Sequence, residues 1–291
     1  MLKLLITGAT GFVGRYVVTQ ALQKGYDIHL IVRNSQKAIA LFGKEIKTYQ
    51  IDDLTQKTQL AKIIENISPQ YVINLIGIIK EIKSQAVTFE KVHYEYSKCL
   101  FEVLKDYSAV KVIHMSALGV DEKAPSRYHK TKLMAEKELI KSGIPFVIIR
   151  PSFIIGPEQL LFVKLKSILK KTPVLLFPDI HNYFFQPVDV RDVATCFLNA
   201  IEHEENEIFE LCGDQKVSLK DMVKDFIKTV GGKVLFIAIP GLFLKLFATE
   251  QYKMMWKDNI CGHSIDALSM QKILGRQPIP YKEQIKWAAK F

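Results

Sequence analysis

A phenol and an ammonium stand four residues apart at Tyr128 and Lys132, in the run Tyr128-His129-Lys130-Thr131-Lys132. On a helix that spacing puts both on one face. A phenol with a pKa of about 10 is a poor acid or base at neutral pH. A neighbouring ammonium favours the phenolate and moves the tyrosine toward a useful range. Such a pair suits proton transfer to or from a substrate oxygen. Twelve residues earlier, the stretch Met115-Ser116-Ala117-Leu118 offers a hydroxyl that could bond the same oxygen. Depending on register the hydroxyl position falls on Ser116, or on Ala117, where the donor is missing. Losing one such donor costs a factor of about 100 or more in rate.

A second constellation opens the chain: Leu4-Leu5-Ile6-Thr7-Gly8-Ala9-Thr10-Gly11-Phe12-Val13-Gly14. An apolar strand ends at Thr7, a glycine turn follows, and Val13, Tyr16, Val17, Gln20 and Ala21 trace an amphipathic helix. Gly8 permits the tight turn, Gly11 a close approach to backbone N–H groups, and Gly14 close packing of helix on strand. Together with Thr10, Phe12 and Val13 they form a cradle for a dinucleotide pyrophosphate, whose charge the helix start favours. The second strand ends Leu30-Ile31-Val32-Arg33-Asn34-Ser35, without the acid that would bond ribose hydroxyls. Arg33 would instead meet a 2′-phosphate with its fork of donors, so NADP(H) is favoured and NAD(H) stays open. Asp53 and Leu54 follow the third strand, where a side chain reaches the adenine edge. Asn74-Leu75-Ile76-Gly77 ends the fourth, and Gly77 lets backbone approach the nicotinamide-side ribose, whose hydroxyls Lys132 would bond.

Alternating segments must position these groups. Strands are expected at Leu4–Thr7, Ile28–Val32, Ile46–Ile51, Tyr71–Leu75, Lys111–Met115 and Pro145–Ile149. Helices are expected near Phe12–Lys24, Gln36–Phe42, Lys57–Asn66, Thr88–Tyr107 and Tyr128–Lys141. That rhythm implies an α/β fold, a doubly wound parallel sheet of Rossmann type with its ligand crevice beyond the strand carboxyl ends. Residues 1–150 and about 187–205 form this core. Residues 151–186 and 206–291 form a small C-terminal α/β lobe over the crevice, with 152–187 irregular and proline-punctuated. Ser218 and Asp221 make a capping pair for a helix in the lobe.

The 291 residues are 48% hydrophobic and 24% charged, enough to bury a sizeable core. Cys99, Cys196, Cys212 and Cys261 lie far apart and read as reduced, buried thiols of a cytoplasmic protein. The first residues already form a strand, and no secretory signal is expected. The histidines show no metal-ligand spacing, and no metal is expected. The net charge of +10 comes from scattered lysines, and the aromatics sit within apolar segments, which argues against nucleic acid. The apolar stretch Leu235–Ala248 is broken by Pro240, Gly241 and Lys245, too interrupted for the roughly 20 residues a membrane span requires. Leu242–Phe247 is expected to pack as a lobe helix, with a seat at a membrane interface as the alternative.

With these landmarks, the chain resembles the short-chain dehydrogenase/reductase superfamily in its extended or atypical divisions, over roughly residues 1–200. The resemblance rests on the glycine run, Asp53-Leu54, Asn74 to Gly77, Tyr128 to Lys132, Arg150-Pro151-Ser152 and Pro187-Val188-Asp189-Val190-Arg191-Asp192-Val193. Asn74 to Glu81, Phe89 to His93, Ser116 to Gly119, Phe185 to Val188 and Asp258-Asn259 are similar to the branch named for an NADPH-holding accessory subunit of respiratory complex I. The resemblance implies Tyr128 as acid/base, Lys132 as its tuner, Ser116 as a partner of the substrate oxygen and Pro151 beside the cofactor. His93 stands where many extended members carry asparagine. Lys80, Glu81 and Gln186 are placed by position at the crevice. Three functions follow. The first is an NADP-dependent oxidoreductase acting on a small carbonyl or alcohol. The second is a non-catalytic NADPH-holding assembly or sensor subunit that contacts a respiratory complex or the membrane periphery. The third, ranked below them, is a nucleotide-sugar epimerase or dehydratase.

Overall fold

The computed structural model describes residues 2–107, 110–179, 183–240, 249–262 and 267–290. Short apolar runs form the strands β1 (Lys3–Thr7), β2 (Asp27–Val32), β3 (Lys47–Gln50), β4 (Tyr71–Asn74), β5 (Lys111–Met115) and β6 (Phe146–Pro151). Further strands are β7 (Ile154–Ile155), β8 (Val174–Asp179), β9 (Phe184–Phe185), β10 (Val188–Asp189), β11 (Glu207–Leu211), β12 (Val217–Ser218), β13 (Leu235–Pro240) and β14 (Ala267–Ser269). Eight of them make one sheet in the order β14-β11-β6-β5-β4-β1-β2-β3, every pairing parallel. A sheet covered on both faces needs apolar side chains on both. In β1, Leu4 and Ile6 join the cluster beneath α1 (Phe12–Gln23) and α7 (Val190–Asn199), while Leu5 joins the opposite one. That second cluster holds residues of α3 (Lys57–Ile67), α4 (Tyr96–Leu104) and α5 (Arg127–Ser142). α2 (Ser35–Phe42) follows β2, with Asn34 capping it by accepting from Lys37 N.

Strand order reverses between β1 and β4, and a crevice opens there beyond their carboxyl ends. The doubly wound fold expected from the alternating pattern is therefore present. One helix differs in kind. Where a single helix was expected over Thr88–Tyr107, residues Glu90–Glu95 are wound in a wider π-type turn that runs into α4.

Residues 152–187 correct the expectation of irregular chain. They contain β7, α6 (Leu160–Leu169), β8 and β9. Prolines at 157 and 173 flank this helix and do not mark a loop, and Gln159 caps it by accepting from Leu161 N. α6 packs with α8 (Leu219–Thr229) through stacked rings of Phe162 and Phe226, whose centroids are 4.2 Å apart. β11 and β14 lie in the main sheet, although the sequence division places 206–291 with the lobe. The cysteine expectation is also corrected: Cys212 and Cys261 form a disulfide. Gln186 bridges the two segments that carry them by bonding Gly213 and Cys261, and the two cysteine Cα atoms lie 6.0 Å apart across a sequence separation of 49. Cys99 and Cys196 are free and buried. The stretch Leu242–Phe247 lies outside the described residues. No helix among the described residues is long and apolar enough to cross a membrane.

Candidate functional site

The crevice of about 610 Å³ begins at the glycine turn. Gly11 N donates to Gly8 O at 3.0 Å, closing the turn. Gly8 has φ +72°, and a Cβ there would sit 2.7 Å from the main-chain carbon of Leu75. At Gly14 a Cβ would sit 2.3 Å from Gly8 O, so any side chain would push α1 off the turn. Gly11 caps α1 in extended conformation with no side chain bonding the helix start. The first-turn N–H groups are thus left for a ligand. This cradle, which a Cβ would fill, fits the pyrophosphate of a dinucleotide. Thr10, Phe12 and Val13 line it with the three glycines.

At the far end Arg33, exposed at the close of β2, lines the crevice with Lys37, Asp52 and Leu54. Asp53 is the one predicted cofactor contact that does not line it. Its carboxylate pairs with Lys91 Nζ at 2.7 Å and accepts from Thr55 N at 3.0 Å and Thr55 Oγ1 at 2.7 Å. Those bonds draw Asp53 toward α3 and the π turn, and Asp52 lines the crevice in its place.

Near the carboxyl ends of β4 and β5, buried Asn74 accepts from Thr7 Oγ1 at 2.7 Å and donates to Ser97 Oγ at 3.1 Å. These bonds hold β4 against β1 and α4. Leu75 and Gly77 follow, lining the crevice. Lys132 is buried, and its Nζ donates to Met115 O at 2.8 Å and Ile76 O at 3.3 Å. Burial pushes its pKa down to about 8. Tyr128 is half-buried among the rings of Phe89, His93 and His129, and burial pushes its pKa up to about 12. The lowering by Lys132 expected from the spacing is absent: desolvation sets this tyrosine and raises it. Ser116 is buried and its Oγ has no hydrogen-bond partner. Ser116 and Ala117 both line the crevice, so the hydroxyl is present at the strand end. A buried hydroxyl without a protein partner is free to bond a ligand atom.

His93 is fully enclosed and braces this end. His93 Nδ1 lies 3.0 Å from Thr131 Oγ1, and its Nε2 lies 3.0 Å from both the N and the O of Ile78, fixing the loop after Gly77. Burial, with Lys132 adding to it, holds this imidazole neutral, well below its usual pKa.

Pro151, Phe153, Phe185, Met254, Met255, Lys257 and Asn259 complete the lining from β6 and the lobe. Asn259 Oδ1 accepts from Ser152 Oγ at 2.6 Å and Phe153 N at 3.1 Å, while its Nδ2 donates to Leu118 O at 3.2 Å. That latch ties the lobe to β5 and β6 across more than 100 residues, and no local pattern in the sequence signals it. Gln186 does not line the crevice. Its amide donates to Gly213 O at 2.9 Å and accepts from Cys261 N at 3.3 Å. Glu81 is likewise structural, accepting from Phe89 N at 2.9 Å and pairing with Arg127, and Lys80 is exposed. No metal-ligating cluster occurs among the described residues.

Residues 4–212, which contain the cradle and both strand ends, match the family described as NAD dependent epimerase/dehydratase. The chain belongs to that family. Within it, the chain is 26% identical over 264 residues to "NADH dehydrogenase (ubiquinone) 1 alpha subcomplex subunit 9, mitochondrial" of Arabidopsis thaliana. That match covers 87% of this chain and 64% of the relative, so the chain spans less than two thirds of its length. It is also 26% identical over 278 residues to the photosystem II assembly factor Ycf39 of Trieres chinensis, covering 94% of this chain and 82% of that one. Among solved structures, a UDP-glucose 4-epimerase with UDP-glucose from Thermotoga maritima superposes with TM-score 0.76 at 17% identity. It covers 99% of this chain and 98% of its own, and it shares the fold. The chain is thus a nucleotide-binding member of the epimerase/dehydratase family.

Proposed function

We propose that the protein binds NADP(H) and is an oxidoreductase acting on a carbonyl or alcohol. The observation that carries this reading is the meeting in one crevice of the glycine cradle with Ser116, Tyr128 and Lys132. The cradle would hold the pyrophosphate, Arg33 and Lys37 the ribose phosphate, and Lys132 the nicotinamide-side ribose. Asp52 and Leu54 would border the adenine, and Leu75, Gly77 and Pro151 the nicotinamide end. When bound, the dinucleotide supplies or takes up a hydride. Ser116 Oγ orients the substrate oxygen by hydrogen bonding. Tyr128 gives that oxygen a proton on reduction and takes it back on oxidation. The phenol is protonated at neutral pH and so in the form that donates, while burial makes it a weaker acid than a free tyrosine. The test is NADPH consumption with a series of aldehydes and ketones. Turnover abolished by Tyr128→Phe and NADPH affinity cut at least tenfold by Arg33→Ala, with NADH unaffected, are the expected results. Equal affinity of the unmodified protein for both cofactors would remove the NADP preference.

A second reading, a cofactor-holding subunit of an assembly, draws on relatives named for a respiratory complex and for photosystem assembly. There the bound dinucleotide would stabilise the fold by linkage, and the protein would contact its complex peripherally. Tight retention of NADPH with no turnover of any carbonyl would select it.

A further inference from the structure

We propose that the substrate end of this crevice takes an uncharged carbonyl or alcohol carried on a large apolar body, and that it excludes nucleotide sugars. This rests on the oxidoreductase reading for the identity of the polar head. Two hydroxyls are unspent at that end. Ser116 Oγ is buried without a partner, and Tyr128 has burial alone setting its proton affinity, with no hydrogen bond contributing. Both line the same crevice, where each can bond an oxygen of the ligand.

Around them the described walls are apolar. Ile78 and Ile79 come from the loop after β4, with Ile79 47% exposed at its rim. Phe153 and Phe185 face in from the lobe with centroids 5.7 Å apart. Met254 ends the helix Thr249–Met254 and Met255 follows it; Glu250 seats this helix on α5 by accepting from Tyr128 N at 3.0 Å. Methionine side chains follow irregular apolar shapes without a fixed partner.

The polar groups in the same walls are already engaged. Gln159 caps α6 and donates to Ile154 O at 2.9 Å. Ser152 and Asn259 bond each other. His129 meets Ser126 Oγ at 2.6 Å, and burial pushes its pKa down to about 4, so it is neutral. Lys257 pairs with Asp121 at 3.6 Å and lies 4.6 Å from the Trp256 ring centroid. Gln251 is the polar side chain that remains among the described lining residues at this end. A sugar brings several hydroxyls, each costly to bury unpaired. A diphosphate brings charge that needs dedicated cations. Neither need is met by the described residues, whereas an apolar body gains from every group removed from water.

The test uses dead-end complexes, so it does not depend on turnover. Calorimetry on NADPH-saturated protein compares butan-1-ol, hexan-1-ol, octan-1-ol and decan-1-ol, with UDP-glucose as rival. Parallel runs omit the cofactor. Affinity is expected to tighten about two- to fourfold per added methylene, with no binding of UDP-glucose. Met255→Glu is expected to weaken octan-1-ol at least tenfold. Affinities independent of chain length, or UDP-glucose binding tighter than octan-1-ol, would overturn the proposal. Absence of NADPH binding sinks the cofactor reading alone, because the cofactor-free series still reports on the wall. A steep series on a protein that turns over no carbonyl sinks the proton-transfer reading and leaves the wall's specificity standing.

Discussion

Lys132 Nζ lies 2.8 Å from the main-chain oxygen of Met115, tying α5 to the carboxyl end of β5 by a buried ammonium. Burial lowers its pKa from 10.5 to about 8. Between those two values the unfolded chain holds a proton that the folded protein has released. Stability contributed by this group therefore rises with pH across that window, and below it the full cost of burying the charge applies. Lys132→Met should abolish that rise. Chemical denaturation of both proteins from neutral pH to above pH 10 checks it; a wild-type minus variant difference that stays flat contradicts the assignment.

The orphaned hydroxyl of Ser116 separates a structural role from a catalytic one. A side chain kept for packing bonds would destabilise the fold when removed. Ser116→Ala removes a buried unpaired polar atom, so the ligand-free protein should be unchanged or more stable by about 1 kcal/mol. Turnover should fall about 100-fold. Thermal unfolding and kcat measured on the same preparation decide between the roles.

Gly14→Ala places a methyl group 2.3 Å from Gly8 O. Backbone is on the other side of that contact, so α1 must move. The expected cost is about 1–3 kcal/mol of stability, accompanied by loss of NADPH binding because the first-turn N–H groups shift. A variant that binds NADPH as tightly as the unmodified protein would show that the turn is not the pyrophosphate site.

The disulfide Cys212–Cys261 closes a loop of 49 residues and flanks the Asn259 latch. Reduction, or replacement of both cysteines by serine, should lower stability by about 2–4 kcal/mol. The melting temperature of the unmodified protein should drop with reductant, and that of the double serine variant should not respond. Identical melts with and without reductant would mean that the bond is not formed in solution.

Much of the core was legible because its signals are local. The strand Lys111–Met115 and the start of α1 at Phe12 follow from apolar periodicity and the glycine turn, and Ser218 caps α8 as its pairing with Asp221 indicates. What escaped depends on distant contacts. α6 buries Phe162 and Leu165 but also carries Leu160, Val163 and Ile168 on its exposed side, so it shows little amphipathic pattern between its flanking prolines. Cys212 meets Cys261, and Ser152 meets Asn259, only after the lobe has folded back on the sheet. Asp53 and Asp52 are neighbours with equal chemistry, and Lys91, a residue of the π turn, draws Asp53 away. Met254 and Met255 reach the crevice through a helix whose place is set by Glu250 on Tyr128 N, a contact spanning 122 residues.

The central claim is that main-chain amides between Gly8 and Gly14 receive a dinucleotide pyrophosphate. Titration of the protein with NADPH and NADH in a calorimeter tests it most directly. The account predicts saturable one-to-one binding of NADPH in the micromolar range and weaker binding of NADH. No heat from either cofactor at millimolar concentration would contradict it.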